Sequence, residues 1–437
     1  MKYILYLFFL IPLSSFHSWF MIQSCLIFLI LLFIMSNINH FFSCISYFMS
    51  MDYLSYGLII LTFLIISLMI MSTVNFNNFI YSYFIMLNLI LCLILFMIFS
   101  SMNMLIMYIM FEFSLIPLMI LIFGWGYQPE RLMSGLYLFF YTLFASLPLL
   151  IILVYFLLKF KVLFFDLNFN NSFSFIIHCS MMLAFLVKMP MYMVHFWLPK
   201  AHVQAPVSGS MILAGLLLKI GGYGIIRFMF IYEYLFLNYS FIWFSMSILG
   251  SILVSLICFI QGDLKCMIAY SSVAHMGMCI MSMMTMTYWG VFGSYLMMIS
   301  HGLCSSALFC LANISYSRYL SRSFFLNKGL LLSMPSLSLL WFLFCSFNMS
   351  CPPSLNFISE IFIISSMITY WDISFIYFFF ISFFSACFSF YLFSFSQHGI
   401  NSYLYNCSYG FVREYLLLFI HLLPIFFILL NMNFFFY

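Results

Sequence analysis

Four charged side chains stand well inside long apolar stretches of this sequence: Glu112, Lys188, Lys219 and Glu360. On insertion scales a charge at a helix centre costs about 2.5 to 3.5 kcal/mol, so the unpaired set would cost roughly 10 to 14 kcal/mol. Such a penalty needs a compensating environment. One reading is a pair of buried ion pairs that only lock helices together. The other is chemical. Burial disfavours the charged form of a carboxylate and of an ammonium alike, so a small movement of a neighbouring charge decides which group holds a proton. Function is the better default for an ionisable residue inside a membrane.

The surroundings of these charges favour a polar path. Pro117 lies five residues after Glu112 and Pro190 two after Lys188, and each removes a backbone donor and so frees a carbonyl in the preceding turn. Lys219 sits among Gly215, Gly221, Gly222 and Gly224, which allow close helix approach or leave room for water. His275 and His301 also fall inside apolar spans, where neutral imidazole can accept and donate at once or can serve as a hydrogen-bonded helix contact. Ser271, Ser272, Ser300, Ser305 and Ser306 suit either role.

His195 and His202 straddle Pro199 with a spacing that suits metal ligation poorly, and no metal site is expected. His178 near a helix start reads as interfacial, Asp263 as an N-cap, and Glu130-Arg131 as a loop ion pair. The Gly-Gly-Tyr-Gly cluster at 221–224 follows no strand and is not a dinucleotide loop. No nucleophile elbow, P-loop, haem or iron-sulfur spacing occurs, so electron transfer is not expected in this chain.

The elements that must hold these groups follow from composition. Of 437 residues 67% are hydrophobic and 5% charged, and the mean hydropathy is +1.21. Too few charges exist to cover a protein of 51.6 kDa with a water-facing surface, so its solvent is lipid. A net charge of +4 with scattered basic residues gives no nucleic-acid footprint. The 13 cysteines include no Cys-x-x-Cys pair and act as small hydrophobes. The abundance of Phe, Met and Tyr fits an AT-rich organellar genome.

About fourteen apolar runs, most of them long enough to span roughly 30 Å of hydrocarbon, alternate with short polar punctuation. The expected spans are Lys2 to Leu13, Trp19 to Met35, Tyr53 to Met71, Ile80 to Ile98, Asn103 to Phe123, Leu132 to Leu158 and Phe175 to Trp197. They continue as Ala205 to Phe230, Phe241 to Ile260, Leu264 to Met284, Trp289 to Asn313, Lys328 to Tyr370 with a break, Ile373 to Phe395 and Val412 to Asn433. The first is expected to be a retained helix, because no small-residue cleavage site follows it. Pro190 and Pro199 interrupt the seventh run and Pro352-Pro353 the twelfth, and in transporters paired interruptions mark a site near the midplane. Loops after odd-numbered spans hold Arg131, Lys200, Lys265, Arg318, Arg322, Lys328 and Arg413, whereas those after even-numbered spans hold Lys159, Lys161 and Arg227. The positive-inside rule places the odd loops on the matrix or cytoplasmic side.

One long stretch of residues carries a resemblance. Phe185-Leu-Val-Lys188-Met-Pro190, then His195-Phe-Trp-Leu-Pro-Lys200-Ala-His202-Val-Gln-Ala-Pro206, resembles the signature of the chain 4 family of mitochondrial NADH:ubiquinone oxidoreductase, respiratory complex I. The likeness continues in Gly-Trp-Gly-Tyr-Gln-Pro129-Glu130-Arg131, Leu217-Leu-Lys219-Ile-Gly-Gly-Tyr-Gly224, Asp263-Leu-Lys265, Ala269-Tyr-Ser-Ser-Val-Ala-His275 and Pro352-Pro353-Ser-Leu-Asn-Phe-Ile-Ser-Glu360.

The resemblance implies an all-α polytopic membrane protein of fourteen helices, one antiporter-like domain over residues 1–437. Its core would be two inverted five-helix repeats with proline-broken helices, near 78–230 and 240–396, flanked by 1–77 and 397–437. It further implies that Glu112 pairs with Lys188 and modulates its proton affinity, that Lys219 is the middle lysine, that His301 lies on the polar axis with His275 as a candidate addition, and that Glu360 discharges protons. NADH, FMN, iron-sulfur clusters and ubiquinone would be bound by other subunits. The partners implied are membrane-arm subunits, two of them flanking antiporter-like chains, and membrane lipids, in the mitochondrial inner membrane. Gln204 departs from the family pattern, which has a glutamate there. The alternatives are a subunit of a multi-subunit cation/proton antiporter or membrane-bound hydrogenase, or a scaffold whose charges only pair helices.

Overall fold

A computed structural model describes residues 2–16, 19–36, 42–73, 78–166, 174–400 and 409–430. Long apolar runs become helices, glycines and β-branched residues included, because lipid leaves every backbone group to be satisfied within its own segment. In order they are α1 (Lys2–Leu13), α2 (Trp19–Ile34), α3 (Tyr53–Ser72), α4 (Asn78–Ser100), α5 (Met104–Phe113), α6 (Leu115–Trp125), α7 (Arg131–Phe160), α8 (Phe175–Lys188), α9 (Trp197–Gln204), α10 (Val207–Ile212) and α11 (Leu218–Ile231). There follow α12 (Glu233–Cys258), α13 (Leu264–Met284), α14 (Tyr288–Tyr319), α15 (Leu330–Ser333), α16 (Pro335–Asn348), α17 (Leu355–Tyr370), α18 (Ser374–Gln397) and α19 (Val412–Leu430). Among the described residues, 10 helical segments are long and apolar enough to cross a membrane, with α5–α6 and α10–α11 each counted as one.

The chain divides into two compact units, the first comprising the described residues of Met1–Met189 and Gln204–Leu235, the second Pro190–Val203 and the described residues of Phe236–Phe434. In unit 1, α11 is buried and packs against α8, while α4 lies against α1, α3 and α5. One end of this unit carries a small β cap. Strands β1 (Ser43–Ser46) and β2 (Met49–Met51) pair antiparallel, and Met49 bridges to Ser101 and Asn103 to Phe164. In unit 2, α14 is the central helix and packs against α13, α16, α17 and α19.

The prolines break helices as the sequence predicts. Helix α8 stops at Lys188 and the chain stays irregular from Pro190 until Trp197, while α16 and α17 are separated at Pro352-Pro353, whose peptide is cis. A further interruption was not foreseen: α5 and α6 part at Ser114, because Pro117 offers no N–H to the Phe113 carbonyl one turn back. The last expected span ran to Asn433, and residues 431–433 lie outside the described ones.

Candidate functional site

Unit 1 assembles three of the expected residues. Glu112 stands one residue before the end of α5, beside Ser146 of α7 and within Coulombic reach of Lys188. No described cation lies within 4.0 Å of its carboxylate. Lys188, the last residue of α8, is buried, and its Nζ instead donates to the Phe111 carbonyl at 2.9 Å and lies 3.2 Å from the centroid of the Phe111 ring. The same carbonyl accepts from Ser114 Oγ at 2.7 Å. The Glu112–Lys188 ion pair implied by the resemblance is not formed here, and Lys188 has the Phe111 carbonyl and ring as partners in place of the carboxylate.

Lys219 is 0% exposed. Between α10 and α11 the helix widens over Leu213–Leu217 into a π-turn, in which the Leu218 N–H reaches back five residues to the Leu213 carbonyl. The Ala214 carbonyl is thereby released from its usual donor, and Lys219 Nζ donates to it. The glycines beside it serve close approach. A Cβ at Gly221 would meet the Met189 nitrogen at 2.8 Å and the Phe185 carbonyl at 2.9 Å, so α11 lies on α8 only because that Cβ is absent.

Unit 2 assembles the others. His275 on α13 and His301 on α14 are buried, with ring centroids 5.5 Å apart. Glu360 on α17, the helix capped by Ser354 Oγ accepting from Phe357 N–H, lies beside Ser350, and its Oε1 has no partner among the described residues. The nearby serines direct their hydrogens to their own helices: Ser272 to Ala269, Ser305 to His301 and Ser306 to Leu303. Only their lone pairs remain to receive a proton donor.

Known proteins decide the family. Residues 1–98 match the family described as NADH-ubiquinone oxidoreductase chain 4, amino terminus, and residues 101–389 the family described as NADH:quinone oxidoreductase/Mrp antiporter, TM. A relative in Ceratitis capitata, NADH-ubiquinone oxidoreductase chain 4, is 49% identical over 431 residues and 97% of each chain. The chain belongs to the NADH-ubiquinone oxidoreductase chain 4 family. The same-named protein of Aedes aegypti is 51% identical to this chain 4 subunit over 411 residues, 91% of this chain and 90% of its own. Two solved structures share the fold. A chain of respiratory complex I from Thermus thermophilus superposes with a TM-score of 0.86 at 19% identity, over 97% of this chain and 94% of that one. A chain of the Mrp complex from Dietzia does so with a TM-score of 0.83 at 16% identity, over 96% of this chain and 49% of that one. The subunit is thus an antiporter-like, multi-pass membrane subunit of complex I.

Several charges of this chain 4 subunit lie where the sequence reading did not place them. Arg227, expected in a loop, is buried in α11 and pairs with Asp52 at 2.5 Å, because its side chain finds a carboxylate at the start of α3. Arg318 pairs with Glu414 at 2.5 Å. Glu130 does not pair with Arg131 among the described residues: its Oε2 accepts from Gln204 Nε2 at 3.0 Å, and Arg131 Nη1 donates to the Gly126 carbonyl at 2.9 Å. His178, expected at the interface, is buried within α8. Asp263 occupies the N-cap position of α13 without a side-chain capping bond, its backbone being drawn into a bridge with Ser323. His195 stacks between Tyr192 and Phe196, and His202 lies on the Phe309 ring at 4.7 Å. The one sequence signal for the Asp52–Arg227 pair is that Arg227 falls inside the expected span Ala205 to Phe230, whereas Asp52 sits just outside any run.

Proposed function

We propose that this chain 4 subunit translocates protons in the mitochondrial inner membrane, coupling the NADH oxidation and ubiquinone reduction of its complex to proton movement through Glu112, Lys188, Lys219, His301 and Glu360, with His275 alongside His301. The observation that carries this reading is the burial of ionisable side chains at interrupted helices: Lys188 at the end of α8, Lys219 after the π-turn, and Glu360 in the helix that follows the proline pair. Broken backbone at membrane depth persists where it serves a polar path.

In this reading the chain is one integral membrane domain of fourteen helices, with inverted repeats near 78–230 and 240–396 and flanking helices in 1–77 and 397–437. Two antiporter-like chains flank it and lipids cover the rest. NADH, FMN, iron-sulfur clusters and ubiquinone belong to other subunits, and the signal arrives along the membrane arm.

Glu112 and Lys188 then alternate between a bonded and an open arrangement. With Lys188 on the Phe111 carbonyl, its charge stands apart from Glu112, and re-pairing would alter the field at Lys219, which lies on the helix packed against α8. The proton on Lys219 moves on toward His301 and Glu360. The His275 and His301 rings pack together with centroids 5.5 Å apart, which sets side by side two imidazoles able to accept and donate a proton. The exit from Glu360 lies on the intermembrane-space side, the side to which the loop charges assign the even loops; burial removes Arg227 from the even set and Lys265 from the odd one, and the odd loops still hold more basic residues.

Replacing Lys219 by Met in the assembled complex tests this. Proton pumping coupled to NADH oxidation is expected to fall while assembly survives. Unchanged pumping in an assembled variant would leave these charges with a scaffold role.

A further inference from the structure

Lys219, Tyr223 and Arg227 are spaced four apart on α11, so they form one stripe, each about 6 Å along the helix axis from the next. Starting from the buried lysine, this stripe runs toward the β-capped end of unit 1. The Tyr223 hydroxyl donates to the Phe99 carbonyl at 3.0 Å, and its ring lies edge-on to Phe99 at 5.2 Å. Next comes Arg227, 5% exposed, whose Nη1 meets Asp52 Oδ2 at 2.5 Å. Its guanidinium carbon lies 4.9 Å from the Phe42 ring centroid, 5.0 Å from that of Tyr223 and 5.9 Å from that of Phe165.

Asp52 is fixed in turn. It accepts from the Phe42 N–H, and its own backbone N–H donates to Ser55 Oγ at 2.7 Å at the start of α3. Beyond it stands Asp166, in the loop after α7 and exposed. The order along the stripe is a proton-holding group, a phenol, a permanent cation with its counter-ion, and then the surface.

That order decides what the stripe can do. A guanidinium does not give up its proton in proteins, so Arg227 cannot pass one on. Held on Asp52 and ringed by three aromatic side chains, the guanidinium leaves an approaching proton no group there that both accepts and releases it. We propose that the Arg227–Asp52 pair is an electrostatic plug that closes the route between Lys219 and the β-capped end of unit 1, so that a proton held at Lys219 does not escape through that end. This rests on the reading of Lys219 as a proton carrier. By the loop-charge orientation the plugged end faces the intermembrane space. An open end there would let protons from the intermembrane space reach Lys219 and run back across the membrane, and the plug closes that return.

The test is the passive proton permeability of the assembled complex in liposomes with a pH-sensitive dye inside and no NADH present. Arg227→Gln combined with Asp52→Asn keeps the packing and removes both charges. It is expected to dissipate an imposed pH gradient several-fold faster than the wild type, and adding Lys219→Met is expected to abolish that leak. Arg227→Lys keeps an ion pair, and hence assembly, but can release its proton, so it too is expected to leak more than the wild type. A wild-type leak rate per assembled complex in either variant overturns the plug and leaves the pair a structural tie. A leak that persists when Lys219→Met is added overturns it as well, since the route would not pass through Lys219. Lys219→Met alone reports on the underlying reading through NADH-driven pumping, so failure of the one is separable from failure of the other.

Discussion

Adding one methyl group at Gly221 should disturb both the packing and the transport function of unit 1. The new Cβ would lie 2.8 Å from the Met189 nitrogen, whereas ordinary contact begins at 3.4 Å, so α11 and α8 must separate by 3.4 − 2.8, about 0.6 Å. The obstructing atoms are backbone, and no side-chain rotation relieves them. Overpacking a close helix contact costs about 1 to 3 kcal/mol, against about 0.5 to 1 kcal/mol returned by the better helix propensity of alanine. The net loss, up to about 2.5 kcal/mol, shifts the folded-to-unfolded ratio by up to about 70-fold. The contact lies at Met189, the residue next to Lys188, so the lysine moves relative to the Phe111 carbonyl that holds it. Gly124 is the control, because a Cβ there meets nothing within 4 Å. The assays are the thermal midpoint of the assembled complex and its NADH-driven proton pumping in liposomes. Gly221→Ala should lower both and Gly124→Ala neither, and equal behaviour of the two variants would refute the close-approach reasoning.

Other perturbations have definite signs. Phe111→Leu keeps the carbonyl but removes the aromatic face under Lys188, a desolvated cation–π contact of about 2 kcal/mol, so pumping should fall with assembly intact; full pumping would mean that the ring does not position the lysine. Glu414→Gln leaves the Arg318 guanidinium with the Ile314 and Tyr409 carbonyls and no counter-charge, which should destabilise unit 2 by up to about 3 to 5 kcal/mol, and an unchanged thermal midpoint would show the pair to be dispensable. Asp166 has a carboxyl pushed above its ordinary value by partial burial and the Asp52 carboxylate, against the pull of Arg227. The folded state therefore holds this proton more tightly than the unfolded chain, and the stabilisation is present at low pH and lost as pH rises through the folded value. Asp166→Asn should accordingly raise the thermal midpoint slightly at neutral pH and leave it unchanged well into acid; the reverse pattern would contradict the assigned environment.

Much of the fold was legible because lipid imposes one solution on a long apolar run. Helices α1 and α13 match their expected bounds, and the proline breaks fell where Pro190 and Pro352-Pro353 stand. What was not legible arises where one segment responds to another. The π-turn over Leu213–Leu217 leaves no mark in an apolar sequence, yet it frees the carbonyl that Lys219 uses. Arg227 lies near the end of an apolar run and reads as a loop cation until α3 and its leading Asp52 are placed beside it. Likewise the intramembrane charges were visible as anomalies of composition, but the preference of Lys188 for the Phe111 carbonyl over Glu112 depends on how α8 meets the break at Ser114.

The central claim is that buried carboxyl and amino groups change protonation during turnover, and Glu360 offers the most direct measurement of it. Infrared difference spectra of the assembled complex, recorded between resting and NADH-driven states, should contain a carboxylic-acid C=O band that disappears in Glu360→Gln. Identical difference spectra for the wild type and Glu360→Gln, with NADH oxidation proceeding in both, would contradict the account.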